Sequence, residues 1–312
     1  HFNASKLAVY LKKIALQRGV VRIEGKIQGA VNHADGDIRC LVMQDGSEVE
    51  GSFFFDCSGF ARLLIGKHYN TKWRSFIENL PMKKAIPFFI ERGAEENTIP
   101  LTGAIAMKYG WIWQIPVKGR YGAGYVFDSD YISDDQALHE AEQYYGCKLN
   151  SPRAFKFEAG AFEDTLVNNC MSSGLSQGFI EPLEATSIWM FCSNLKTLFD
   201  NKLTDKAKRT PTSIRLFNQL ATTRVEDVVH FVHMHYQTKR DDSPFWNEFK
   251  QKTKTPPFVQ DRLNMWKSVG INWGSDLTVL LEKTDHQKLG FDRWVQVGDG
   301  LGLINPDAID VN

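Results

Sequence analysis

The chain has 312 residues, 43% of them hydrophobic and 24% charged, a balance that suits a globular protein with a large core. Its 37 lysines and arginines equal its 37 aspartates and glutamates, so no net field draws it to nucleic acid or to an anionic membrane surface. No apolar run is long enough to span a bilayer, which excludes a helical membrane protein.

In chain order, "HFNASKLAVYLKKIALQRGVV" starts without Met, and its Leu7, Leu11, Ile14 and Ala15 fall at helical spacing with Gly19 at a C-cap position. This predicts a helix over 4–18, and a helix formed by the very first residues leads us to expect a fragment of a longer chain. "VVRIEGKIQGAV" follows as an expected strand. Turns at Asp35-Gly36 and Asp45-Gly46 make a meander with "IRCLVMQ" and "EVEGSFFFDCSG". Its last member, "SFFFD", reads as a buried-type run ending at Asp56, with Gly59 in the next turn. Residues 85–127 are rich in strand-forming runs, a helix is expected at 134–146, and "AFKFEAGAFEDTLVNNCM" reads as strands.

From "GLSQGFIEPLEATSIWMF" onward the pattern is helical. Ile188, Phe191, Leu195 and Leu198 form one apolar stripe, and "PTSIRLFNQLATTRVEDVVHFVHMHYQTK" is a long helix with Pro211 near its start. Shorter helices are expected over 245–282. The chain thus divides into a strand-rich part, 1–182, and a mostly helical part, 183–312.

Several segments carry candidate chemistry. In "FFFDCSGF" a strand ends in Asp and Gly, an ordinary turn exit or an approach to a ligand beyond the strand end. "GWIWQIP" puts Trp111 and Trp113 on one strand face, as core filler or as a wall beside a planar ligand. His230, His233 and His235 lie in "HFVHMHYQTKRDD", where no carboxylate completes an HExxH pattern. A hydrogen-bonded or solvated histidine set is expected there, with no metal site. "KRDD" reads as a mixed-charge helix end or loop. Cys40, Cys57, Cys147, Cys170 and Cys192 are dispersed without a CxxC pair, which fits reduced thiols and a cytoplasmic setting.

The glycine-rich stretch before the helical part holds two carboxylates, Glu181 and Glu184, and allows two registers. With Pro182 at the first helical position, Glu184 is the third helical residue and a capping acid. With Thr186 as the N-cap, Glu184 stays on the loop and the following amides face an anion site. Local physics favours the first register.

Four of these segments together, "FFFDCSGFARLLI", "GWIWQIP", "GLSQGFIEPLEATSI" and "HYQTKRDDSPFW", resemble in the same order the flavin-dependent halogenases of the tryptophan-halogenase type. The second matches that family's WxWxIP signature and the third its FxEPLE. The resemblance covers roughly residues 1–250 and implies an α/β fold of the FAD/NAD(P)-binding flavoprotein-monooxygenase type, here without its first βαβ unit and with a helical C-terminal part. Residues 1–182 would be the remainder of the FAD-binding domain with its substrate-side sheet.

The resemblance implies that a reductase partner supplies reduced FAD, which forms a C4a-hydroperoxide with oxygen. Halide attack then gives hypohalous acid, which a lysine directs onto an electron-rich aromatic ring. Position by position, Glu184 is the catalytic glutamate and the amides of Thr186 and Ser187 hold the halide, although better-known members have Gly at the latter position. Leu175, Ile188, Gly59 and Ile27 would contact FAD, and Trp111 and Trp113 are substrate-pocket candidates.

The GxGxxG fingerprint and the family's lysine are not among these residues, so this stretch alone is expected neither to hold FAD tightly nor to halogenate. Region 251–312 lacks the paired tyrosines of tryptophan-specific members, which points to an indole- or phenol-like substrate in a more open site. A flavin-dependent aromatic hydroxylase or an inactive remnant is the alternative, and a homo-oligomer is left open.

Overall fold

The computed structural model describes residues 1–93, 100–150, 153–268 and 290–305. Helix α1 (Ala4–Gln17) is started by the Asn3 side chain, which accepts from the Lys6 amide, and is closed by Gly19 in the left-handed region. None of its residues is buried.

The strand expected over residues 20–31 is shorter than its apolar run. β1 is Ile27–Asn32, and residues 20–26 have no regular structure. The reason is pairing: β1 runs antiparallel to β2 (Ile38–Met43) with Ile27 opposite Met43. The Asp45-Gly46 turn reverses the chain just beyond Met43, so earlier residues have no partner there. β3 (Glu48–Glu50) completes this three-stranded sheet.

β4 (Phe54–Asp56) is buried at Phe54 and Asp56 but not between them, since Phe55 is 40% exposed. The run is therefore one-sided rather than buried throughout. A 3₁₀ turn (Gly59–Ala61) and a π-helical turn (Leu63–His68) follow.

The framework of the molecule is a five-stranded antiparallel sheet in the order β10-β6-β9-β8-β7. It is built from β6 (Lys84–Glu91), β7 (Gly103–Met107), β8 (Gly110–Val117), β9 (Arg120–Phe127) and the short β10 (Phe155–Lys156). Side chains alternate between its faces with period two. Ile86, Ile112, Tyr125 and Phe127 pack toward helix α2 (Asp134–Tyr145), which a Ser133–Gln136 capping box starts and Gly146 ends.

Their neighbours Ala85, Trp111 and Val126 face the opposite way, into the main core. That core is covered by α4 (Pro211–His235), α5 (Pro244–Lys252), α6 (Pro257–Ser268) and α7 (Phe291–Gly300). Of the helices expected over 245–282, the part at 269–282 lies outside the described residues.

Two small sheets join this framework to the helical part. One comprises β5 (Trp73–Ser75), β11 (Gly160–Phe162) and β14 (Gly178–Phe179). In the other, β13 (Cys170–Ser172) pairs antiparallel with β12 (Leu166–Val167) and parallel with β4.

Helix α3 (Thr186–Asp200) buries Thr186, Met190, Asn194 and Leu198; of the expected stripe, Leu198 is buried and Leu195 packs against the same cluster, whereas Ile188 is 47% exposed. The difference comes from a buried polar chain. Arg224 Nη1 donates to Asn194 Oδ1 (2.6 Å), and Asn194 Nδ2 donates to Gln177 Oε1 (3.4 Å), so a polar residue takes the inward position. No helix of the described residues is long and apolar enough to cross a membrane.

The sheet interior is tight at one glycine and open at its neighbour on the same strand. A Cβ at Gly124 would stand inside the Trp113 ring's contact envelope and 2.8 Å from the Ile86 carbonyl oxygen, whereas at Gly122 it would meet nothing within 4 Å. Gly124→Ala should therefore lower stability by about 1–3 kcal/mol, and Gly122→Ala should be nearly neutral. Paired denaturant titrations check this, and equal losses would contradict the packing described.

Candidate active site

The parallel pair β4–β13 ends in two glycine turns. Gly59 (φ 64°) begins the turn after β4, and Gly174 (φ 65°) begins a matching 3₁₀ turn, Gly174–Ser176, after β13. The two turns pack against each other, and α3 packs against the second. A Cβ added at either glycine would meet nothing within 4 Å, so both turns face open space.

Asp56, which invited a ligand role at the strand end, has structural partners. Its Oδ1 accepts from the Ser58 amide (3.0 Å), and its Oδ2 accepts from the amides of Leu64 (2.8 Å) and Ile65 (3.0 Å). What remains open beside the turns is apolar: Leu175 is 38% exposed, and Ile188, in the first turn of α3, is also exposed. This lies at the carboxyl ends of parallel strands, where α/β sheets gather ligands. Ile27 belongs to a different sheet, as the first residue of β1.

The Glu184 turn settles the choice of register. Leu183–Ala185 form a 3₁₀ turn in which Glu184 (φ 59°, ψ 11°) is left-handed, and Ala185 (φ 53°, ψ 26°) is left-handed after it. Helix α3 begins at Thr186, so Glu184 is not a helical capping residue and the register favoured by local physics is wrong. The other register is correct to within one residue. Thr186 is the first helical residue, and its Oγ1 donates backward to the Leu183 carbonyl (3.3 Å).

No side chain caps α3, so its first amides, those of Thr186 and Ser187 among them, are presented forward. Ser187 itself is helical, so serine in place of glycine there meets no strain. Two successive non-glycine residues in the left-handed region cost about 1–2 kcal/mol each, and the side chains around the turn must hold that conformation.

One anchor is Glu181, a residue to which sequence reasoning gave no role. It is fully buried, and its Oε2 accepts from Trp111 Nε1 (3.1 Å) and from the Tyr236 hydroxyl. Its Oε1 is buried with no hydrogen-bond partner among the described residues. Burial raises this carboxyl to about 7, against the smaller opposing effect of the two donors. Trp111 is thus a core residue tied to Glu181 rather than an open pocket wall, which corrects that expectation. Trp113, tilted 64° to it with centroids 6.3 Å apart, is only partly buried.

His233 and His235 are hydrogen-bonded, within the expected reading, and His230 stacks on Phe258. His233 is buried, with Nδ1 2.9 Å from the Asn79 carbonyl. His235 Nδ1 lies 2.8 Å from the Phe231 carbonyl, which assigns it the proton, and Nε2 lies 3.9 Å from Glu184 Oε1. Burial lowers the His235 pKa and favours the neutral ring. Glu184 itself is exposed on its side chain (44%). The expected mixed-charge loop is a fork: Arg240 grips Asp242 through Nε (2.8 Å) and Nη2 (2.6 Å). A signal for Glu181 existed in "GFIEPL", an acid inside an apolar run, but nothing local named its partners, which come from 70 and 55 residues away.

The chain belongs to the tryptophan halogenase family, whose model matches residues 1–306. It is 34% identical to the uncharacterized protein y4xG of Sinorhizobium fredii, over 97% of this chain and 59% of that protein. It is 31% identical to tryptophan 7-halogenase RebH of Lentzea aerocolonigenes, over 86% of this chain and 51% of that one. The structure of BrvH, a flavin-dependent halogenase from Brevundimonas sp. BAL3, superposes with a TM-score of 0.87 at 30% identity, covering 99% of this chain and 62% of that one. The chain thus spans between half and two thirds of the length of these relatives.

The Glu181 environment predicts a pH dependence of stability. Its ordinary value is 4.5 and its folded value about 7, so the folded state holds the proton more tightly. The resulting contribution is fully present below the ordinary value and is lost as pH rises through the folded one. Glu181→Gln has no such proton and should gain on the parent by about 1.4 kcal/mol per pH unit across that interval. Urea unfolding at several pH values within it reads this directly, and a constant difference would mean that Glu181 titrates as an ordinary acid.

Proposed function

We propose that this chain forms part of a flavin-dependent halogenase of an electron-rich, indole- or phenol-like aromatic substrate, served by a separate flavin reductase. The observation that carries the reading is Glu184, projected by a left-handed turn beside the uncapped start of α3. Family membership and the named activities of relatives such as tryptophan 7-halogenase support it.

The residues present fit a flavin. Gly59 and Gly174 leave open space where side chains would stand, and Leu175 and Ile188 offer apolar contacts beside them. Ile27 would serve the adenosine side. Bound reduced FAD would activate oxygen, which takes two electrons from the flavin and two from the halide, so that oxidised flavin, hypohalous acid and water result.

The chain's own contribution is binding and proton handling. The amides of Thr186 and Ser187, at the positive end of a 15-residue helix without a side-chain cap, would hold the halide ion. Trp113, the less buried of the two tryptophans, stays a candidate for the substrate wall. When halogen adds to a ring carbon, the hydrogen on that carbon must leave as a proton, and Glu184 would accept it. His235, kept neutral by burial, presents Nε2 toward the same carboxylate at 3.9 Å and adds no charge that would compete with the proton on Glu184.

The test uses the full polypeptide with a flavin reductase, an aromatic panel and mass-spectrometric detection of product. Glu184→Gln should lower halogenated product by about 100-fold or more while flavin oxidation continues. Unchanged yield would remove Glu184 from the mechanism. A hydroxylated product from the parent protein would turn the reading toward an aromatic hydroxylase.

A further inference from the structure

The geometry points to Glu181 as the positioning residue of this site: its buried carboxyl, gripped by Trp111 and Tyr236, holds the strained turn that aims Glu184. The inference rests on the reading of Glu184 as the proton acceptor.

Glu181 is fully buried, so it touches neither substrate nor flavin and can act only through what it holds. It holds three elements at once. Trp111 comes from the start of β8 in the five-stranded sheet, Tyr236 caps the C-terminal end of α4, and Glu181 itself stands three residues before Glu184. Tyr236 is the neighbour of His235, so the grip that fixes the turn also fixes the end of α4 from which His235 faces Glu184.

Left-handed residues persist only where the surroundings over-determine them. At this turn the other supports are the buried Leu183 and Thr186, joined by the Thr186 Oγ1 bond to the Leu183 carbonyl. That bond is local to the turn and sets its shape. The bonds to Glu181 Oε2 are the polar contacts that tie the turn to the sheet and to α4.

The experiment compares Glu181→Leu with Glu181→Gln in the full polypeptide with its reductase, reading halogenated product per flavin oxidised. Leu removes the acceptor and leaves two donors unpaired. Gln keeps an oxygen for both donors and puts its NH2 where Oε1 had no partner. Glu181→Leu should lower product per flavin by at least about tenfold, as misplacement of a catalytic group does. Glu181→Gln should restore most of it. A general loss of folding would instead lower flavin oxidation in step with product.

Should Glu181→Leu not fold, Tyr236→Phe, which removes a single hydroxyl, decides the matter by a loss in the same direction. Full product yield in Glu181→Leu, or in Tyr236→Phe when the former is insoluble, overturns the inference. Equal loss in Leu and Gln variants overturns it too, since the acceptor oxygen would then not be what matters. If Glu184→Gln is strongly impaired while these variants are silent, only this inference fails. If Glu184→Gln is silent, the proposed function itself fails.

Discussion

A carboxyl group removed from water and gripped by two donors on one oxygen is the constraint on which this site depends. Glu181 Oε2 receives Trp111 from the sheet and Tyr236 from the end of α4, and no described residue partners its other oxygen. Such a group is costly to bury, and hydrogen bonds offset that cost only when the donors are fixed in place. Here both are fixed by packing, since Trp111 and Tyr236 belong to the main hydrophobic core. The core between sheet and helices therefore does more than stabilise the fold. It determines where one polar side chain sits, and through it where the neighbouring turn lies.

Two acids three residues apart thus have opposite environments. Glu181 is sealed in the core, and its pKa is raised by burial. Glu184 leaves the helical path through its positive φ and remains exposed beside a neutral histidine. In a regular helix, residues three apart share a face, and both carboxylates would point into the same surroundings. The left-handed pair at Glu184 and Ala185 breaks that relation, and the strain there is what separates the two roles.

Much of the fold was legible because it rests on local rules. The Asp-Gly turns, the α2 helix and the proline start of α4 each depend on residues within a few positions. The failures share one cause, which is that a distant partner decided. Val20, Val21 and Ile23 have strand-like composition but lie outside β-pairing, because the β2 hairpin ends too early to meet them. The α3 stripe held at Leu198 but misled at Ile188, because Arg224, thirty residues beyond Asn194, brings Asn194 inward. The first helix register failed in the same way. Pro182 and Glu184 satisfy every local rule for a helix start, but the buried contacts of Glu181 and Thr186 impose the later one.

The start of α3 is where the two halves of the site meet, and its position follows from these long-range contacts. On one side it packs against the Gly174 turn and, through it, meets the open glycine edge after β4. On the other it follows directly from the Glu184 turn. Thr186 is buried between them, so the helix start cannot slide toward either side without exposing that residue or breaking its bond to Leu183. The polar chain from Arg224 through Asn194 to Gln177 secures the same helix two turns further along. An anion at the α3 amides would therefore lie between the open glycine turns and the Glu184 carboxylate. Under the proposed halogenation, that order would set the halide between the flavin and the group that takes up the ring proton.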